Sequence, residues 1–143
     1  NCATRESRVQ EGPREGGGMK TRVMLVDDHK MFRDGLRVLI DAEPGMEVVG
    51  EAVDGREAVE LARRLFPDVV IMDISMPGMN GIEAMRHLIR DNPRSKVIML
   101  SMYSSGPLVQ SVMAAGAAGY VLKGSDFSEL AAAIRSACGQ PYP

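Results

Sequence analysis

The sequence predicts an α/β domain built on a doubly wound parallel sheet, and three observations carry that expectation. Short apolar runs alternate with amphipathic segments five times across residues 19–143. The runs RVMLV, DVVIM and KVIML lack the polar alternation of a sheet with one wet face, so they read as strands covered on both sides. Four of the five strand-like runs end in a polar residue capable of chemistry, and in open parallel sheets the carboxyl ends of the strands are where ligands gather.

In chain order, residues 1–18 (NCATRESRVQEGPREGGG) hold glycine, proline and balanced charge with almost no apolar residues, so they cannot bury a core. They are expected to be a disordered extension or a remnant of cloning, with Met19 the natural start and the folded domain spanning 19–143. Arg22 to Val26 form the first strand, ending in the adjacent acids Asp27 and Asp28. Phe32, Leu36, Leu39 and Ile40 then keep helical spacing until Pro44 and Gly45 stop the pattern. Glu47 to Val53 is a weaker strand, and Gly50 inside it suggests a sheet edge or a close backbone approach. Ala58, Leu61, Ala62 and Leu65 mark the apolar face of a second helix that ends at Pro67. Asp68 opens the central run, which stops abruptly at Asp73 and gives way to a loop punctuated by Pro77, Gly78 and Gly81. Ile82, Met85, Leu88 and Ile89 predict a third helix ending near Asn92. Lys96 to Leu100 is a fourth strand closing on Ser101. A fourth helix over Pro107 to Ala115 is the least committed, preceded by the mobile sequence Ser104, Ser105 and Gly106. Ala117 to Leu122 is a short fifth strand ending at Lys123, and Ser125 or Asp126 is expected to cap a last helix carrying Phe127, Leu130, Ala131 and Ile134. The segments between strands are long enough for right-handed crossovers, and the flavodoxin-like strand order 2-1-3-4-5 suits five such units.

Composition narrows the function classes. Hydrophobic residues make up 45% and charged residues 25% of the chain, which suits a folded domain. The net charge of −2, from 17 basic and 19 acidic residues interspersed, leaves no basic stripe for nucleic acid. No apolar run approaches the length of a membrane span or a secretory leader, so the expected location is the cytoplasm. Cys2 and Cys138, at opposite ends without CxxC spacing, read as two free thiols.

In the expected sheet, Asp27, Asp28, Asp73, Ser101 and Lys123 meet at one edge. Each has a bland reading alone, as a cap, a turn residue or a solvated charge. Together they call for a different account. Two unit charges about 4 Å apart repel by about 4 kcal/mol at an effective dielectric near 20, so three carboxylates require a cation. Oxygen donors of this charge suit a hard divalent ion such as Mg²⁺. A carboxylate beside a metal, an ammonium and a hydroxyl is equipped for phosphoryl transfer, with Asp73 the nucleophile.

These residues together resemble the receiver domain of two-component response regulators over about residues 20–140. The motifs are the acid pair Asp27 and Asp28, Asp73 followed by MPGMNG, Ser101, and Lys123 three positions after Tyr120. The phrases VDDHKMFRDGL, LSMYSS and GAAGYVLKGS are similar to those of the NarL/FixJ/LuxR-type subfamily. The resemblance implies that Asp73 accepts a phosphoryl group from a histidine kinase or a small phosphodonor. It implies that Asp28 and Asp73, with Asp27 through water and the backbone carbonyl of Ser75, bind Mg²⁺. Lys123 would pair with a phosphate oxygen, Ser101 would move to bond another, and Tyr120 would be the switch aromatic that turns inward. Members usually continue into a C-terminal helix-turn-helix, so DNA contact is expected only through a domain that this sequence lacks. A phosphorylation-linked homodimer is a further expectation. Ser75 and Tyr103 offer neither acid nor amide to orient a water, which implies a long-lived acyl phosphate.

Other residues carry plainer readings. His29 reads as a solvated helix start, since a hard-ion site does not favour imidazole, and His87 as an exposed polar residue. Met24, Met72 and Met99 fall inside strands and read as core, while Met76, Met79 and Met102 are expected to border the site. Two other function classes compete: a flavodoxin-like binder of a phosphorylated cofactor, disfavoured by the acids in the loop DDHK, and an interaction module that works unphosphorylated.

Overall fold

The computed structural model describes residues 19–76 and 78–139; the expected extension over 1–18, Pro77 of the metal-loop turn, and residues 140–143 lie outside the described residues. Ten elements alternate strictly: β1 (Thr21–Val26), α1 (Lys30–Ala42), β2 (Met46–Ala52), α2 (Gly55–Leu65), β3 (Val69–Asp73), α3 (Gly81–Asp91), β4 (Lys96–Ser101), α4 (Gly106–Ala114), β5 (Gly119–Leu122) and α5 (Phe127–Ala137). The strands form one parallel sheet in the order β2-β1-β3-β4-β5. Every residue of β3 is buried, as its unbroken apolar run requires.

The alternation of side chains across the strands divides the interior in two. One cluster joins Met24, Val26, Met72 and Met99 to Ala58 and Ala62 of α2, Ala84, Met85 and Leu88 of α3, and Val112 of α4. The other joins Val23, Leu25, Ile71, Ile98 and Leu100 to Leu36 and Ile40 of α1 and Leu130 and Ile134 of α5. Both faces are therefore sealed, and the strand ends are left as the place for polar groups.

Local chemistry sets the element boundaries. Asp54 caps α2, its carboxylate accepting the Glu57 N–H at 2.9 Å, and Asn80 does the same for α3 with Glu83 at 2.9 Å. The helix α2 ends on Phe66 in the left-handed conformation, φ 49°. Gly50 lies on the edge strand, as expected, and what approaches it is the side chain of Leu65, whose Cδ1 would stand 2.6 Å from an added Cβ. At the amino ends of the strands, Asp68 is fully buried and its Oδ2 accepts the Arg22 N–H at 2.9 Å.

Two expectations need correction. Asp126 occupies the cap position of α5, yet its side chain makes no capping bond; the turn closes through its carbonyl, which accepts the Glu129 N–H at 3.0 Å. Met76 is core rather than a border of the site, with 9% exposure in the cluster under α2 and α3. The weakly patterned α4 forms, started by Ser105, whose Oγ accepts the Leu108 N–H at 3.3 Å, but Val112 is its one buried residue. Cys138 is buried and forms no disulfide among the described residues.

Candidate functional site

β1, β3 and β5 deliver charged groups to the carboxyl edge of the sheet at the depth their registers dictate. Val26 stands beside Met72 and Asp73 beside Leu100, so the acids that follow β1 and end β3 share one level. Ser101 ends β4 opposite Leu122, and its carbonyl accepts the Lys123 N–H at 2.8 Å, which aims the lysine back across the sheet.

Lys123 Nζ lies 2.8 Å from Asp27 Oδ2 and 3.1 Å from Asp73 Oδ2, with all three side chains less than a tenth exposed. The Asp73 contact is aligned as a hydrogen bond. Asp27 Oδ2, in contrast, has no hydrogen-bond partner although it is buried, and is held by charge alone. The Lys123 ammonium also sits 4.7 Å from the centre of the Phe32 ring, an attractive placement for a cation. Asp73 Oδ1 accepts the Ser75 N–H at 3.1 Å, closing the loop after β3 back onto the carboxylate, while Ser75 itself is exposed.

Burial pushes the Asp73 carboxyl above the usual carboxylate range; the Ser75 N–H draws it back, the Asp27 charge raises it further, and Lys123 opposes that rise. For Lys123, burial acts to lower the ammonium's pKa, but the close carboxylates of Asp27 and Asp73 outweigh it and leave it raised. The lysine is a fixed cation at neutral pH.

Asp28 is the exposed member of the acid pair, and His29 is the surprise. His29 is 65% exposed, yet its Nδ1 stands 2.9 Å from Asp27 Oδ1 and 3.3 Å from Asp28 Oδ1. The solvated-start reading is thus incomplete: the ring leans over the acids, and Asp27, Asp28, His29 and Asp73 offer one ligand atom each within 4.8 Å of one another. Three carboxylates against one ammonium leave an excess of two negative charges, and one buried oxygen among them lacks a hydrogen bond. This donor set fits a divalent hard cation.

Ser101 is fully buried, and its Oγ accepts the Tyr103 N–H at 3.0 Å. Tyr120 stands one strand away, its hydroxyl donating to the Tyr103 carbonyl at 2.6 Å. Both switch candidates therefore hold the same residue of the β4–α4 loop. Sequence reasoning missed Phe32 and Arg33. The second is a buried arginine on the apolar side of α1, detectable only as a charged residue one step inside the pattern of Phe32, Leu36 and Ile40.

A parallel 2-1-3-4-5 sheet with clustered carboxylates, a buried hydroxyl and a buried lysine at its carboxyl edge defines the class of acidic-pocket signalling receivers. Residues 23–135 match the response regulator receiver domain family, and the chain belongs to it. It is 47% identical over 121 residues to the transcriptional regulatory protein LiaR of Bacillus subtilis strain 168, covering 84% of this chain and 57% of LiaR. It is also 47% identical over 121 residues to the response regulator UvrY of Escherichia coli K12, covering 84% of this chain and 56% of UvrY. The crystal structure of a LuxR-family two-component response regulator from Aurantimonas sp. SI85-9A1 superposes with a TM-score of 0.80 at 42% identity, covering 85% of this chain and 87% of that one. The chain spans little more than half the length of the curated relatives it matches.

Proposed function

We propose that the chain is the phosphorylation-activated receiver of a transcription-controlling response regulator, with Asp73 the phosphoryl acceptor. One observation carries the reading: carboxylates from the ends of β1 and β3 meet around the ammonium of Lys123, 3.1 Å from Asp73 Oδ2. In the transfer, an Asp73 oxygen attacks phosphorus, the bond to the donor's histidine nitrogen or leaving oxygen breaks, and the acyl phosphate forms. Lys123 neutralises charge on the incoming group from its fixed position. Asp28 and Asp73, with Asp27 through water and the Ser75 carbonyl, would hold Mg²⁺, whose positive charge stabilises the transferring phosphoryl oxygens.

The donor is a histidine kinase, and the domain works in the cytoplasm; no described helix is long and apolar enough to cross a membrane. Switching begins when the Ser101 hydroxyl exchanges the Tyr103 N–H for a phosphate oxygen. Tyr120 then loses its tether to the Tyr103 carbonyl and turns inward. A shift from 1:99 to 99:1 takes about 5.5 kcal/mol, which several charge-assisted bonds supply together and one does not. The output is a homodimer or an altered contact with a C-terminal helix-turn-helix domain that carries the DNA binding.

Incubation with Mg²⁺ and acetyl phosphate or phosphoramidate is expected to add the mass of one phosphoryl group to the intact protein and none to Asp73→Asn. An unchanged mass across several donors overturns the reading. The acyl phosphate is also expected to persist for minutes or longer, since Ser75 and Tyr103 bring no water-orienting acid or amide. Decay within a few seconds, followed by mass or by released phosphate, contradicts this.

A further inference from the structure

The acid pair is held from behind by a charged network. Arg33, on the second turn of α1, is 8% exposed. Its Nη1 donates to the carbonyl of Asp27 at 2.6 Å, and its Nε donates to Glu51 Oε1 at 3.0 Å. Glu51 belongs to β2, and its other oxygen accepts from Arg37 Nη1 at 2.6 Å. The Asp27 peptide is therefore pinned on both sides, since its N–H donates to the Ala52 carbonyl at 3.1 Å.

A guanidinium is an odd neighbour for a site that must attract a cation. Placed there alone, it would repel the ion that the three carboxylates call for. The partner it has been given removes that difficulty: Glu51 faces Arg33, and Arg37 completes the compensation from the surface. Burial acts to raise the Glu51 carboxyl, but the bonds and charges of Arg33 and Arg37 outweigh it and hold the group below its usual range.

We propose that Arg33 is a positioning residue for the cation site, acting through the Asp27 carbonyl, and that Glu51 masks its charge so that the clamp does not repel the ion. The proposal deepens the receiver reading and rests on it. Arginine suits the task because its planar fork reaches a carbonyl and a carboxylate at once, whereas a lysine ammonium on a flexible stem does not hold both directions rigidly. Outer residues of this kind commonly change metal affinity by about tenfold to a hundredfold when altered.

The sign of one measurement separates this role from a purely electrostatic one. If Arg33 acts only through its charge, Arg33→Met takes a cation away from a cation site and tightens Mg²⁺ binding. If it positions Asp27 and the turn that follows, Arg33→Met weakens Mg²⁺ binding by about tenfold. Mg²⁺ titration by calorimetry, at constant ionic strength and well below each variant's melting temperature, reads this directly and needs no phosphorylation. Arg33→Lys, which keeps the charge and the stem, is expected to weaken binding several-fold and guards against a methionine variant that does not fold. Glu51→Gln is expected to weaken binding as well, since it leaves the buried Arg33 charge unmasked beside the site. In acetyl phosphate reactions the Arg33 variants should need more Mg²⁺ yet reach the wild-type rate once it saturates, a split that a general loss of structure does not produce. Mg²⁺ binding by Arg33→Met and Arg33→Lys at wild-type strength or tighter overturns the proposal, and so does a wild type that binds no Mg²⁺. A wild type that binds Mg²⁺ but takes no phosphoryl group from any donor overturns the receiver reading instead, and leaves the Arg33 comparison to be decided by its own titrations.

Discussion

Lys123→Met is expected to lose about 3 kcal/mol of folding stability at neutral pH, the cost of breaking a buried ion pair by removing one partner. Asp27 and Asp73 would then face each other with no ammonium between them, one of them with an oxygen that already lacks a hydrogen bond. The pH dependence follows from the direction of the shift. The Asp73 carboxyl is already raised in the folded protein by burial and by Asp27. A carboxyl raised above its unfolded value favours the fold when protonated, and that advantage is lost as pH rises through the folded pKa. Removing Lys123 takes away an attraction that holds this pKa down, so the gap between variant and wild type should open from acid toward neutral pH and close again on acidification. For Lys123 the sign is the same but the window lies higher: its raised pKa gives stability that is full below the unfolded lysine value of about 10.4 and fades as pH rises through the folded one. Urea unfolding across a pH series reads both limbs. Phosphoryl uptake should also fall by about a hundredfold, as for loss of one preorganised stabiliser of developing charge. A Lys123→Met protein with the wild-type urea midpoint at pH 7 would mean that the three groups are not coupled as their distances indicate.

Gly81→Ala is the second change with a large expected effect, and it acts through the backbone alone. A Cβ at Gly81 would lie 2.6 Å from the Asp73 carbonyl oxygen, 2.8 Å from Ile74 Cα and 2.9 Å from Met99 Cε. The thioether end can move; the two backbone atoms belong to Asp73, the proposed acceptor, and its neighbour and cannot move without it. Overpacking of this kind costs about 2 kcal/mol or more. The expected protein is destabilised in thermal melts, and its phosphoryl uptake is reduced even where it is fully folded, because relief of the clash shifts Asp73 away from Lys123. Gly78→Ala is the useful contrast: nothing lies within 4 Å of its Cβ, and its φ of +77° strains alanine without touching Asp73. Equal acceptor activity in Gly81→Ala and wild type would show that the start of α3 does not govern the position of the acid.

What was legible in the chain depended on whether the cause was local. An apolar run without polar alternation can be read as a buried strand from its own residues, and β1, β3 and β4 appear where those runs stand. Strand order could not be read from the residues; it followed from the flavodoxin-like arrangement that suits five such units, and the right-handed crossover rule fixed only the faces on which the helices lie. Strand ends then converge by geometry, which is how Asp27, Asp73 and Lys123 could be placed together across almost the whole domain. The misses are all relational. Arg33 looks like a wet residue of α1, and nothing local says that β2 will bring Glu51 to it. His29 looks solvated because its exposure is real, while its approach to Asp27 depends on how the turn after β1 folds back. Asp126 stands where a cap should be, but its carbonyl closes the turn and leaves the side chain idle. The resemblance to receivers supplied roles for Ser101 and Tyr120; that both hold Tyr103 came from the coordinates.

The division of the interior into two clusters has a mechanical consequence. Beneath α2, α3 and α4 lie five methionines, Met24, Met72, Met76, Met85 and Met99, whereas the cluster under α1 and α5 holds only Met46 amid Leu, Ile and Val. Unbranched thioethers repack over several rotamers at little cost, and branched side chains resist it. One half of the domain is thus a compliant cushion and the other a stiff plate, with the sheet as the seam between them. A displacement of α4 can be absorbed by the cushion without disturbing the plate on which Asp27, Arg33 and Glu51 are mounted. The same softness supplies a native set of probes: the methyl groups of those five methionines lie on the side where motion is to be looked for, and each is a single sharp signal waiting to be followed.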